Sequence, residues 1–249
     1  MNILRLNYQE KMAFVSQLEE SHFLTIPKYL LENDLADIYL DEQQVNYVIQ
    51  SKLDPGEPTG FGEDAIILWE ILKNLHDWRC INVSQELAKP LLKVIKNDWK
   101  CAVREYGDVY YGLNHQVRKY ENQAVRKLIT EDKSLLAAFG FDNTQLMENA
   151  IDKGFAYGAV IENQLVSLSY APTHTLQYIE IGVETKEGYR NQGYSTAASA
   201  MLLQDIQTNT QLIPTWSAGE DNYASIKVAE KLGFEKLGER VYLILTKKP

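Results

Sequence analysis

Apolar residues recur at helical spacing in "EDAIILWEILKNL" (63–75), behind the turn-rich "LDPGEPTGFG" (53–62). "WRCINV" (78–83) reads as a short strand, and Ser84 is placed to cap the helix that follows, with Pro90 either delaying its start or bending it. "KCAVREYGDVYYGL" (100–113) alternates enough to predict a hairpin turning at Gly107 and Asp108. Residues 1–110 therefore read as a mainly helical region, and the boundary with the rest falls between about 105 and 120.

The second region, 111–249, has a firmer order. "AVRKLIT" (124–130) reads as a strand and "DKSLLAAFGFDNTQLMENAI" (132–151) as one or two helical pieces. "GFAYGAVIENQLVSLSYAP" (154–172) predicts a hairpin turning at Glu162 and Asn163. "QYIEIGVET" (177–185) is a strand, "TAASAMLLQDI" a helix, "LIPTWSA" (212–218) a strand, "NYASIKVAEKLGF" a helix ending at Gly233, and "GERVYLILT" (238–246) the last strand. Strands followed by a strand, turn, helix, strand, helix and strand predict an α/β (α+β) fold, a mixed sheet with helices on its faces.

Composition narrows the class further. The chain has 249 residues, enough for one large or two ordinary domains, and its 45% hydrophobic and 24% charged content is that of a soluble globular protein. Residues 1–105 carry 17 acidic and 11 basic side chains and residues 106–249 carry 17 and 14. That acidity opposes nucleic acid and anionic lipid and favours a cationic partner. Two cysteines, Cys80 and Cys101, suggest a reducing compartment, and no signal segment or membrane span is read, so a cytoplasmic protein is expected. His76 and Cys80 have ligand spacing but no partner pair, so no metal is expected.

The chemistry concentrates in "GYRNQGYSTAASAMLLQDI" (188–206). A helix N-terminus offers unpaired N–H groups and the positive end of its dipole, so a glycine turn there suits a phosphate. Gly193 permits a tight turn, Ser195 and Thr196 leave room, and Arg190 adds charge. On the preceding strand, alternation sets Tyr178, Glu180, Gly182 and Glu184 on one face and Ile179, Ile181 and Val183 on the other.

"IEIGVETKEGYRNQGYST" followed by "WSAGEDNYASIKVAEKLGF" resembles the GNAT superfamily of N-acetyltransferases. The likeness covers about 120–249, and within the superfamily it is similar to a bacterial branch with an N-terminal extension that includes zwittermicin-type antibiotic acetyltransferases. The family pattern of Arg or Gln, two residues, Gly, one residue and Gly or Ala matches at Arg190, Asn191, Gln192, Gly193 and Tyr194, with Ser195 a small departure. The resemblance implies a GNAT-like, mostly antiparallel sheet and an acetyl-CoA site at this turn, extending to Thr196, with Val183 and Thr185 as backbone contacts and Asn222 and Ser225 from the downstream helix. It also implies Glu180 as the base, with Glu184 in reserve, and acetyl transfer to an amine; the acidic balance fits a small-molecule cationic acceptor such as an aminopolyol, polyamine or amino sugar, with a protein N-terminus or lysine as the alternatives. Many members carry a thiolate-protonating tyrosine where this chain has Ala229, and Tyr223 stands at the wrong spacing. That departure keeps a second reading in view, an inactive coenzyme A-binding module. Nothing in the pattern fixes an oligomeric state.

Overall fold

The computed structural model describes residues 3–140 and 144–246. In chain order the elements begin β1 (Leu4–Arg5), α1 (Tyr8–Val15), α2 (Thr25–Glu32), β2 (Ala36–Leu40), β3 (Tyr47–Ser51) and β4 (Thr59–Phe61). They continue with α3 (Ala65–Lys73), β5 (Cys80–Ser84), α4 (Gln85–Trp99), β6 (Val103–Gly112), β7 (Val125–Lys127) and a 3-10 helix (Thr130–Phe139). Last come α5 (Gln145–Asp152), β8 (Ala156–Ile161), β9 (Gln164–His174), β10 (Tyr178–Thr185), α6 (Tyr194–Asn209), β11 (Ile213–Gly219), α7 (Tyr223–Leu232) and β12 (Glu235–Leu245). Helices flank mixed, antiparallel-dominated sheet in a fold of α/β class.

Two compact units share these elements: Met1–Glu19, Ile26–Val109 and Gly238–Pro249 form one, and Glu20–Thr25 with Tyr110–Leu237 the other. In the first, α1 starts in a capping box, Asn7 accepting from the N–H groups of Gln9 and Glu10 while Glu10 reaches back to Asn7. Asp64 caps α3, and Ser84 caps α4 as its position predicts. The helix starts at Gln85, so Pro90 does not delay it, and runs on through Pro90 to Trp99; both Pro90 and Glu86, whose carbonyl loses its partner there, are exposed. Trp69, Trp78, Ile81, Leu91 and Leu243 form its core, and the Trp69 indole donates to Asp98 at 2.7 Å.

Two expectations change in this unit. Residues 36–40 and 47–51 are paired strands rather than helical segments, alternating buried and half-buried positions in β2. The predicted hairpin at Gly107 and Asp108 is absent, because β6 runs unbroken from Val103 to Gly112. Asp108 is buried and accepts from Asn82 Nδ2 at 3.1 Å, so a residue that ordinarily signals a turn serves as an internal hydrogen-bond acceptor.

The second unit holds the strand order β11-β10-β9-β8-β7, antiparallel except for β10 beside β11. The hairpin between β8 and β9 turns at Glu162 (φ 48°) and Asn163 (φ 60°), two left-handed residues in succession whose twist matches the strands. Residues 132–151 hold the end of the 3-10 helix and most of α5, with 141–143 outside the described residues. Neighbouring positions of β9 meet different helices. Leu168 joins Met147 and Ile151 of α5 in one apolar cluster, whereas the Ser199 hydroxyl of α6 donates to Ser169 at 2.9 Å. The sheet is therefore covered on both faces, which is why Ile179, Glu180 and Ile181 are all buried despite the alternation.

Candidate functional site

The strand-to-helix turn after β10 is built from two left-handed residues, Asn191 at φ 62° and Gly193 at φ 81°. Gly193 is the N-cap of α6 and, lacking a side chain, leaves the first-turn N–H groups uncapped. A Cβ added to it would meet no atom within 4 Å, so the space before the helix is open and the glycine is needed for its φ. Ser195 is half-buried, Thr196 buried, and Arg190, Asn191 and Gln192 exposed. Arg190 Nε donates to Thr185 O at 3.3 Å and Gln192 Nε2 to Gly188 O at 3.4 Å, which holds both side chains beside the turn. Open N–H groups, a helix dipole and the guanidinium of Arg190 on the same turn make a donor set suited to a diphosphate.

The strand leading into this turn has an unpaired edge. β10 pairs with β11 through Tyr178–Ile213, Ile179–Pro214 and Glu180–Thr215. Beyond that register the two strands continue to Thr185 and Gly219 without further pairing among the described residues. On the other side β10 stays paired with β9 to Thr185, and Thr175 N donates to Tyr178 O while Lys186 N donates to Val166 O. In an antiparallel ladder this phase turns the N–H and C=O groups of residues 182 and 184 toward β9 and those of Ile181, Val183 and Thr185 toward the open edge. An extended amide-bearing arm can add there as another strand does.

One face of β10 carries the titratable groups. Glu180 is buried, 5% exposed, where the β10–β11 ladder ends. Its carboxylate accepts from Thr215 Oγ1 at 2.5 Å, Ser217 N at 2.8 Å and Ser217 Oγ at 2.7 Å. Glu184 lies farther along the same face; loss of hydration raises its pKa, and Arg190 lowers it in part. Between them lies Gly182, over which the Tyr170 ring passes so closely that an added Cβ would meet it at 2.7 Å. Burial, and then the charge of Glu184, push the Tyr170 phenol up to about 12, so it is a hydrogen-bond donor at neutral pH. Tyr170 was not legible as a site residue, since its alternation reads as packing.

The downstream helix holds the remaining predicted residues. Asn222 Oδ1 accepts from Ser225 N at 3.2 Å and so caps α7. The Ser225 hydroxyl accepts from Trp216 Nε1 at 2.9 Å, and Trp216 is 1% exposed against Phe234, which makes it a core residue. Ala229 is fully buried and Tyr223 is 66% exposed. Cys80 belongs to the other unit, and burial pushes its thiol up to about 12, leaving no thiolate nucleophile at neutral pH.

The family model described as GNAT acetyltransferase matches residues 98–242. The chain belongs to the GNAT acetyltransferase family. Its fold is shared by an X-ray structure of a Drosophila protein (TM-score 0.69, 13% identity, 98% of each chain) and by a GCN5-related N-acetyltransferase-like protein from Streptococcus suis (TM-score 0.62, 20% identity, 96% of this chain and all of that one). A tandem GNAT protein from the clavulanic acid biosynthesis pathway also aligns, with a TM-score of 0.60 and 11% identity over 100% of this chain and 99% of that one. No curated protein matches the sequence significantly. The GNAT match includes β10, the turn and α7, the elements that carry the geometry above.

Proposed function

We propose that the protein is an acetyl-CoA-dependent N-acetyltransferase acting on a primary amine of a small, cationic acceptor, with residues 111–249 as its catalytic region. The observation that carries the reading is the open edge of β10 running directly into the uncapped, glycine-led N-terminus of α6. Acetyl-CoA, when bound, supplies an acetyl group activated as a thioester. Arg190, Asn191, Gln192, Gly193, Tyr194, Ser195 and Thr196 would hold its diphosphate, and the backbones of Val183 and Thr185 its amide arm. Asn222 spends its Oδ1 on the helix cap, which leaves its amide hydrogens for the cofactor. Ser225 contributes by fixing Trp216 and the start of α7.

A protonated amine cannot attack a carbonyl, so the acceptor must first give up a proton. Glu180 is the base in this reading, directly or through the Ser217 hydroxyl that bonds its Oε1. Glu184 is the reserve base. The outward N–H groups of the β10 edge are positioned donors for the carbonyl oxygen as negative charge builds on it. Transfer to the amine would release coenzyme A as its thiol, which calls for a proton donor on this face. Tyr170 stands in for the tyrosine missing at Ala229 as the proton donor in this reading, because its phenol lies over Gly182 on β10, the strand that carries Glu180. The buried Ala229 favours the second reading, a coenzyme A-binding module without turnover. Glu180→Gln separates the two: loss of turnover with cofactor affinity intact supports the enzyme, and a wild type that binds but never turns over supports the module.

A further inference from the structure

Among the described residues of the second unit, two buried side-chain polar atoms lack a hydrogen-bond partner, His22 Nε2 and Thr173 Oγ1. Such atoms cost stability unless something satisfies them. Thr173 lies beside Glu180, and His22 packs near Tyr178 on the same strand. Thr173, 1% exposed, is the register partner of Glu180 across β9 and β10, so their Cβ atoms share a face about 5 Å apart. His22 reaches that face through the segment 20–25. Glu20 accepts from Thr175 Oγ1 and from Gln177 N at 3.3 Å, which fastens the segment to the β9–β10 turn. His22 then stands 6.4 Å from the Tyr178 ring and 6.3 Å from the Tyr110 ring, and Phe23 packs edge-on against Tyr110 at 4.8 Å. Tyr178 is two residues from Glu180 on the same face, about 6.6 Å along the strand.

We propose that this face is the acceptor subsite, and that Thr173 and His22 are its polar contacts for a hydroxylated primary amine. The inference rests on the acetyltransferase reading. Glu180 takes the amine end; a hydroxyl beside the amine meets Thr173 Oγ1, and one farther along meets His22 Nε2. Both protein atoms belong to neutral groups, since burial lowers the His22 pKa and leaves the ring uncharged at neutral pH. A hydroxyl, which donates and accepts, satisfies either; a second ammonium satisfies only an acceptor. The rings of Tyr110 and Tyr178 give the carbon skeleton an apolar wall.

The test compares wild type, Thr173→Val and His22→Phe with 2-amino-1,3-propanediol, glucosamine and n-propylamine as acceptors. Thiol release gives KM and kcat, saturation-transfer NMR gives acceptor binding without acetyl-CoA, and titration gives acetyl-CoA affinity. Wild type is expected to prefer the hydroxylated amines. Each variant should raise their KM roughly five- to tenfold, the effect of one lost hydrogen bond, with kcat and acetyl-CoA affinity within twofold and propylamine unaffected. Thr173→Val, nearly isosteric, keeps the test valid if His22→Phe does not fold. Unchanged KM in folded variants, equal use of propylamine, or no saturation transfer from either hydroxylated amine overturns the subsite and leaves the two atoms to ordered water. A wild type that does not bind acetyl-CoA overturns the acetyltransferase reading instead, and the NMR arm still reports on the subsite.

Discussion

Replacing Glu180 by glutamine removes the base while leaving most of its hydrogen bonds. The wild-type carboxylate accepts from Thr215 Oγ1, Ser217 N and Ser217 Oγ. A glutamine keeps one oxygen, which can continue to accept from Ser217 N and Oγ. Its NH2 then replaces Oε2 and donates to Thr215 Oγ1, whose own hydrogen already has a second acceptor in Ile179 O at 3.3 Å. The three groups that bond the carboxylate keep a partner, but the second hydrogen of the new NH2 gains none among them, so the stability cost is the charge-assisted part of the bonds plus one unpaired donor, about 2–4 kcal/mol. Glu180→Ala instead strands the Ser217 N–H and hydroxyl, while Thr215 Oγ1 falls back on Ile179 O, costing about 3 kcal/mol or more. The catalytic loss in Glu180→Gln is that of a general base, about 10²- to 10⁴-fold in kcat. Thiol release with an accepted amine measures the rate, while thermal unfolding and acetyl-CoA titration show that the fold and the cofactor site survive. A folded Glu180→Gln protein with wild-type kcat would refute the assignment of the base.

Other outcomes follow from the same geometry. Gly193→Ala meets no neighbour but is forced to φ 81°, so it should lose about 1–2 kcal/mol of stability, read by urea denaturation. Asn222→Ala removes the α7 cap and should cost about 1 kcal/mol in the same assay, and it should also weaken acetyl-CoA binding. Arg126 grips Asp132 through bonds of 2.6 and 2.7 Å and holds its carboxyl below the ordinary 3.8. Stability from that pair is full above the unfolded pKa and lost as pH falls through the lowered one. Asp132→Asn should therefore be less stable than wild type at neutral pH, with the difference shrinking in acid-unfolding curves below about pH 4.

Legibility followed locality. The turn at Glu162–Asn163, the Gly193 and Gly233 positions and the Ser84 cap are decided within a few residues, and each reads directly from the chain. The hairpin at Gly107–Asp108 misled because Asp108 is claimed by Asn82, which is remote in sequence. β2 and β3 escaped notice because their short runs carry Asp37, Gln50 and other polar residues between apolar ones. On β10, alternation identified the face shared by Glu180 and Glu184 but not that both faces are covered. His22, Thr173 and Tyr170 had no local signal at all. Their proximity to β10 depends on segment 20–25 joining the second unit and on the register of β9.

The central claim is that the turn from Arg190 to Thr196 holds the diphosphate of acetyl-CoA. Isothermal titration of acetyl-CoA into wild type and into the Arg190→Ala/Gly193→Asp double variant, with free coenzyme A alongside, tests it most directly. Saturable binding of both ligands to wild type, lost in a folded double variant that places a carboxylate at the helix N-terminus, is the predicted result. Equal binding by the double variant, or none by folded wild type, would contradict it.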